Sequence, residues 1–208
     1  MELRAARLLA PAGSLDALAE FYGRRLGLDV DGGIAVGASQ LEFAPAAGTP
    51  FYHFALLAPG DRFDALLRWI EARVELLPNR ETGERVFDFG FWDARACYFH
   101  DPAGNIVELI AHRGVEETGA EGAFDASELR GLSELGLVGD KAALGARLAE
   151  LGVEVWSGSL ADADGLAFAG EQARTLILCP PGRPWLPTGR PAEAHEVELE
   201  LDVGRFRL

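Results

Sequence analysis

Cysteine, histidine and positive charge are all scarce in this chain of 208 residues, and each shortage closes off a class of function. The two cysteines, Cys97 and Cys179, have neither the spacing of a disulfide framework nor that of a metal knuckle. They read as reduced packing residues, which makes the cytoplasm the expected location. There are four histidines, His53, His100, His112 and His195, so a metal site would need carboxylates beside imidazole. Lysine and arginine total 19 against 33 acidic residues, a formal net charge of −14. That balance argues against nonspecific binding to nucleic acid or to an anionic membrane. No apolar run reaches transmembrane length, and Met1-Glu2-Leu3-Arg4 lacks the layout of a signal peptide. With 49% of its residues hydrophobic, the chain can build a sizeable core. The expected partner is a small molecule.

What is present centres on Tyr98-Phe99-His100-Asp101-Pro102-Ala103-Gly104-Asn105-Ile106-Val107-Glu108-Leu109-Ile110. This reads as a strand, a tight turn and a second strand: Pro102 presets φ, Gly104 and Asn105 tolerate left-handed geometry, and the flanks are aromatic or β-branched. Glu108 lies between Val107 and Leu109 in a run that looks buried on both faces. A carboxylate there needs a cation, an arginine or a raised pKa.

The order of elements repeats. A strand at Ala6–Ala10 leads to a helix with Ser14 as N-cap and Leu15, Leu18, Tyr22 and Leu26 at helical spacing, then Gly27 as a left-handed C-cap. Leu28–Val30, Ile34–Gly37 and Leu41–Ala44 follow as short strands. After Ala46-Ala47-Gly48-Thr49-Pro50 the order begins again, with a strand carrying His53, a helix marked by Phe63, Leu66, Leu67 and Ile70, and three strands ending at Ala111. Residues 114–130 are acidic and Gly/Ala-rich, a linker or mobile crossing segment. A third unit occupies residues 131–208, its helix ended by Gly152. His195–Val203 reads as a closing strand with Val and Leu inward.

This βαβββ repeat, the helix exit at Phe21-Tyr22…Leu26-Gly27-Leu28 and the run Phe99–Leu109 resemble the vicinal oxygen chelate superfamily, which includes glyoxalase I, bleomycin-resistance proteins and extradiol dioxygenases. The resemblance implies an α+β fold in which repeated βαβββ modules form curved mixed sheets around a cavity, with a third, partial module. The paired modules are expected at residues 1–47 and 48–113. It implies a divalent metal (iron, manganese, nickel, zinc or cobalt) held by residues of the first and last strands of each module. Carried over by position, the ligands are His53 and Glu108 from the second unit and Glu42 from the first, with Glu108 and Glu42 as the catalytic carboxylates. The remaining position falls on Arg7, which cannot ligate while charged. Arg7 would pair with Glu42 or clamp a substrate's carboxylate or phosphate.

In the third unit the corresponding positions fall on Ser133 or Glu134 and near Ile177 or Leu178. No ligand set is expected there, and the unit reads as structural. Tyr98, Phe91 and Trp92 are candidate substrate-binding residues, with strand packing as their alternative. Arg183 and Trp185 read as contacts of a rigid loop. The implied function is a metal-dependent lyase or isomerase acting on a small oxygen-rich metabolite, with an extradiol dioxygenase less favoured because Arg7 replaces a histidine. The alternative is a metal-free small-molecule-binding protein. An odd number of units suggests a homodimer, in which the third unit covers its copy.

Overall fold

The computed structural model describes residues 1–208. The first unit contains β1 (Leu3–Pro11), α1 (Leu15–Glu20), β2 (Ile34–Val36) and β3 (Ser39–Ala46). The second contains β4 (His53–Ala58), α2 (Phe63–Glu71), β5 (Phe87–Phe89), β6 (Ala94–His100) and β7 (Ile106–His112). The third contains β8 (Gly131–Val138), α3 (Lys141–Ala149), β9 (Val155–Gly158), β10 (Ala167–Glu171) and β11 (Arg174–Cys179). A hairpin, β12 (Val197–Leu201) and β13 (Gly204–Arg207), closes the chain. No helix is long and apolar enough to cross a membrane.

Burial patterning sorts the strands into two curved mixed sheets. Every residue of β4, β7 and β8 is buried, as expected of strands covered on both faces. They form the middle of an eight-stranded half-barrel of order β5-β6-β7-β4-β8-β11-β10-β9. In β1, Leu3, Ala6, Leu8 and Ala10 point inward while Arg4 and Arg7 remain in solvent, so only one face is covered. β1 lies in a five-stranded sheet of order β13-β12-β1-β3-β2. The main core fills the space between the two sheets and takes in the helices, with Leu8, Tyr22, Phe54, Leu66, Leu135 and Leu148 among its members. A smaller core, including Ala55, Tyr98, Ile177 and Trp185, lies on the other face of the half-barrel.

The unit that shares a sheet with the second is therefore the third, through antiparallel β4–β8 pairing, and not the first. The first unit's sheet is completed by the terminal hairpin, with β12 antiparallel to β1. Leu28–Val30 is not a strand. The Asp29 carboxylate accepts from the Asp31 N–H, and this local turn bond replaces a ladder next to the three-residue edge strand β2. Ser14 donates its hydroxyl to the Pro11 carbonyl and does not cap the helix. α1 runs on through a π turn at Phe21–Arg25 to Gly27, at φ 85°.

The acidic crossing segment is tied down. Buried Arg62 donates to the Glu128 carboxylate (2.7 and 3.1 Å) and to the carbonyls of Ala120, Gly122 and Ala123. The Asp61 carboxylate accepts from the Thr118 and Gly119 N–H groups.

Candidate metal centre and its cavity

Register places the central side chains. Ala55 on β4 lies opposite Glu108 on β7 and, on its other side, opposite Glu134 on β8. Partners in such a row project from the same face of a sheet. Both carboxylates therefore stand on the face that lines the cavity, with only the Ala55 methyl between them. Tyr98 on β6 extends the row beyond Glu108, and Thr175 on β11 extends it beyond Glu134. His53 is two residues before Ala55 and shares its face.

The ligand atoms of His53, Glu108 and Glu134 all lie within 4.8 Å of one another, and all three residues are buried. His53 Nε2 is 3.4 Å from Glu108 Oε2. Its other nitrogen, Nδ1, is 3.1 Å from the Ile106 carbonyl oxygen, which can only accept, so Nδ1 carries the proton. The Nε2 lone pair is then free toward the carboxylates, the arrangement usual for a metal-binding imidazole.

The tight turn secures this geometry. Asp101 accepts from the N–H groups of Ala103 and Asn105 (both 3.0 Å), from Asn105 Nδ2 (2.8 Å) and from the Tyr22 hydroxyl (3.0 Å). Asn105 Oδ1 then accepts from the Tyr52 N–H (2.8 Å), immediately before His53. Gly104 adopts φ 82°, a conformation that side-chain-bearing residues rarely take. A turn that reads as local punctuation thus sets the register of β4 against β7.

Electrostatics show what the cluster lacks. Burial, the neighbouring Glu134 charge and a partial offset from the Tyr98 hydroxyl leave the Glu108 carboxyl well above its ordinary range. Burial lifts Glu134 to about 8. It also lowers His53 to about 4, so the imidazole is neutral at pH 7. Glu134 Oε1 is buried with no hydrogen-bond partner. Two buried acids, a neutral imidazole and an unpartnered oxygen fit a divalent cation, because hard oxygen and imidazole donors suit such ions and two carboxylates balance the charge.

The centre opens into a cavity of about 510 Å³, walled by aromatic side chains that include Phe89, Trp92, Tyr98, Phe168 and Trp185. The Trp185 ring centroid is 5.0 Å from that of His53. Its indole lies where Gly136 has no side chain: a Cβ there would be 2.7 Å from the ring. Gly136 is two residues beyond Glu134, as Ala55 is two beyond His53, and the residue paired with it on β11 is Ile177. The position that answers to Glu108 in the third unit is thus apolar and adds no fourth donor to the three-residue set.

No family model matches the sequence, and no curated protein matches it. Solved structures do. A Bacillus subtilis protein named as a dioxygenase aligns over 96% of this chain and 69% of its own, at 17% identity and TM-score 0.56. A mutant of glyoxalase I from Zea mays aligns over 86% and 67%, at 16% identity and TM-score 0.50. A glyoxalase/bleomycin resistance protein/dioxygenase from Nocardioides aligns over 59% and 90%, at 20% identity and TM-score 0.39. The fold is that of the vicinal oxygen chelate proteins.

Within the vicinal oxygen chelate fold, the structure brings together only part of the site read from the sequence. His53 and Glu108 meet, and Tyr98 and Trp92 line the same cavity, with Phe91 at its rim, 85% exposed. Glu42 and Arg7 do not join them. Both are solvent-exposed on the five-stranded sheet, and Arg7 reaches Glu198 on β12 at 3.5 Å. The reason is the pairing of the units: the strands that flank β4 are β7 and β8, and neither belongs to the first unit. Glu134 therefore takes the place assigned to Glu42. Its signal lies in Leu132-Ser133-Glu134-Leu135, an acid in a largely apolar run, a weaker form of the pattern that singles out Glu108. Arg183 and Trp185, expected as loop contacts, also line the cavity.

Proposed function

We propose that the chain is a metal-dependent enzyme of the lyase or isomerase type, acting on a small oxygen-rich metabolite. His53, Glu108 and Glu134 would hold the divalent ion. The supporting observation is the buried, unpartnered Glu134 Oε1 facing a neutral His53 and a second buried carboxyl. A divalent ion held there supplies Lewis acidity toward two adjacent oxygens of a ligand.

The chain's own residues supply the rest. Glu108 is confined by His53 and by the Tyr98 hydroxyl, which suits it to a fixed ligand role. Glu134 has an oxygen with no hydrogen-bond partner and lines the cavity, which makes it the freer of the two carboxyls to exchange a proton with a bound ligand. Trp185 and Ile177 exclude water from one side of the centre. The Ile106 carbonyl keeps His53 in one tautomer.

Metal analysis of protein purified without chelator tests this reading. One divalent ion per chain, lost in His53→Ala and in Glu134→Gln, is the expected result; substoichiometric metal that neither change affects would overturn it. The second reading, a metal-free binding protein in the same cavity, is favoured by one observation. With both carboxyls raised, the cluster can remain protonated and uncharged at neutral pH. Thermal shift separates the two, since stabilisation by an organic ligand and by no metal supports binding alone.

A further inference from the structure

Among the cavity-lining side chains, one carries a fixed positive charge. Arg183 lies on the segment between β11 and β12 that also brings Trp185 into the site. Its Nε donates to the Asp164 carbonyl and its Nη1 to the Pro184 carbonyl, each at 3.2 Å. Both acceptors are neutral, and Arg183 forms no ion pair with a carboxylate. In a chain of net charge −14, a half-buried arginine thus lines a cavity with no carboxylate paired to its charge. Two ionised carboxylates and a divalent ion would sum to zero, so Arg183 would leave the loaded site one charge positive.

The walls define the rest of the ligand. Trp92, after β5, meets Phe168 of β10 edge-on, with centroids 4.7 Å apart and planes at 88°. Trp92 also lies 5.7 Å from Trp156. These contacts draw the two ends of the half-barrel together and make one wall of the cavity aromatic. Trp185 and Tyr98 flank His53, with centroids 5.0 and 6.1 Å from its ring. Aromatic faces and edges of this kind favour flat π systems over flexible polar chains.

We propose that the cavity takes a flat aromatic ligand bearing an anionic substituent, and that Arg183 holds the substituent while the ring packs against the aromatic walls. The proposal rests on the metal reading only for the two adjacent oxygens that would reach the centre. Arg183 is then a specificity residue, selecting a charged aromatic over its neutral counterpart. The guanidinium suits this task because it presents a planar fork of donors to a carboxylate.

Two binding series test it. The first uses zinc-loaded protein with protocatechuate (a catechol ring bearing a carboxylate), catechol and the aliphatic hydroxy acid glycerate. Protocatechuate should bind about tenfold or more tighter than catechol, as a hydrogen-bonded charge warrants, and glycerate weakest of the three. In Arg183→Gln that gap should close through loss of protocatechuate affinity while catechol affinity is unchanged, which also reports an intact cavity. Arg183→Lys should keep part of the gap. The second series uses chelator-treated protein with naphthoate and naphthol, which cannot chelate. Naphthoate should again bind tighter, dependent on Arg183. Absence of metal from the protein together with a preserved Arg183-dependent gap would sink the metal reading and leave this inference standing. Stoichiometric metal with equal binding of charged and neutral rings, or a gap unchanged in Arg183→Gln, would overturn the inference alone.

Discussion

The two sheets start from the same strand–helix–strand plan and end with different chemistry. In the half-barrel, β7 and β8 are buried on both faces, so any acid placed on them loses water and must find another partner. Glu108 and Glu134 are in that position, and their carboxyls are raised as a result. In the five-stranded sheet, Glu42 and Arg7 occupy adjacent cross-strand positions on β3 and β1, yet both face solvent. An acid and a base next to each other in water make a weak pair. The contrast shows that a site arises where a second sheet half covers the face that carries the polar residues. The terminal hairpin β12–β13 completes the first sheet by backbone pairing but covers no such face.

Exchanging the acids one at a time should expose that difference most strongly. Glu134→Gln or Glu108→Gln should weaken divalent-metal binding by at least about 100-fold, beyond what loss of an outer-shell partner does. Glu42→Gln should leave it unchanged. Titration calorimetry with zinc reads both. Metal binding that survives Glu134→Gln and falls in Glu42→Gln would reverse the assignment of the two sheets.

Next in size is the turn that sets the half-barrel's register. Asp101→Ala removes four hydrogen bonds around buried groups and should cost roughly 2–4 kcal/mol of stability by denaturant unfolding. The five-stranded sheet has a counterpart in Asp29, whose carboxylate accepts from Asp31 in solvent. Asp29→Ala should cost less than about 1 kcal/mol. Equal losses would show that burial of the turn is not what distinguishes them.

The pH dependence of the metal-free protein sharpens the comparison further. Glu134 rises from an ordinary 4.5 to about 8 on folding, and Glu108 moves the same way. The folded state thus holds extra protons, and the stability they contribute is complete below pH 4.5 and lost as pH rises through about 8. His53 falls from 6.5 to about 4, so its contribution is complete above 6.5 and lost as pH falls through about 4. Between pH 6.5 and 8 only the carboxyl pair acts, and metal-free protein should lose stability as pH rises. Saturating metal should flatten or invert that slope, because the metal competes with protons for the same atoms. Melting temperatures across that window, with and without zinc, check it. A metal-free protein with no slope there would mean that the two acids are solvated.

Much of the fold was legible because its signals are local. The run Phe99–Leu109, the helix exits at Gly27 and Gly152, and the repeat itself follow from turn chemistry and apolar spacing. Which units pair was not, although the clue lay in the strands: Ala6–Ala10 has Arg7 inside it, whereas His53–Ala58 and Leu135–Val138 carry no charge after their first residue. One of the three residues of the buried cluster is hidden for that reason. Glu108 stands out as a charge in a doubly apolar strand, whereas Glu134 lies in a unit that lacks the closing turn motif and reads as structural. Trp185 left no readable signal at all, because its role depends on the missing side chain of Gly136, two residues past Glu134.

The smallest expected effect lies on the exposed sheet. Arg7 and Glu198 are 3.5 Å apart, with side chains about 50% and 40% exposed, and Arg207 also reaches Glu198 at 3.3 Å. Pairs in this setting contribute about 0–1 kcal/mol, since water solvates each charge nearly as well as its partner does and salt screens the rest. A double-mutant cycle with Arg7→Gln and Glu198→Gln should therefore give a coupling below about 1 kcal/mol that shrinks further in high salt. The same cycle on His53 and Glu134 in metal-loaded protein should give a much larger coupling, because neither residue has water to fall back on and each holds the ion that the other needs. A strong, salt-insensitive coupling between Arg7 and Glu198 would mean that their face is covered in solution. The first unit would then have a partner of its own, and the difference between the sheets would be one of occupant rather than of burial.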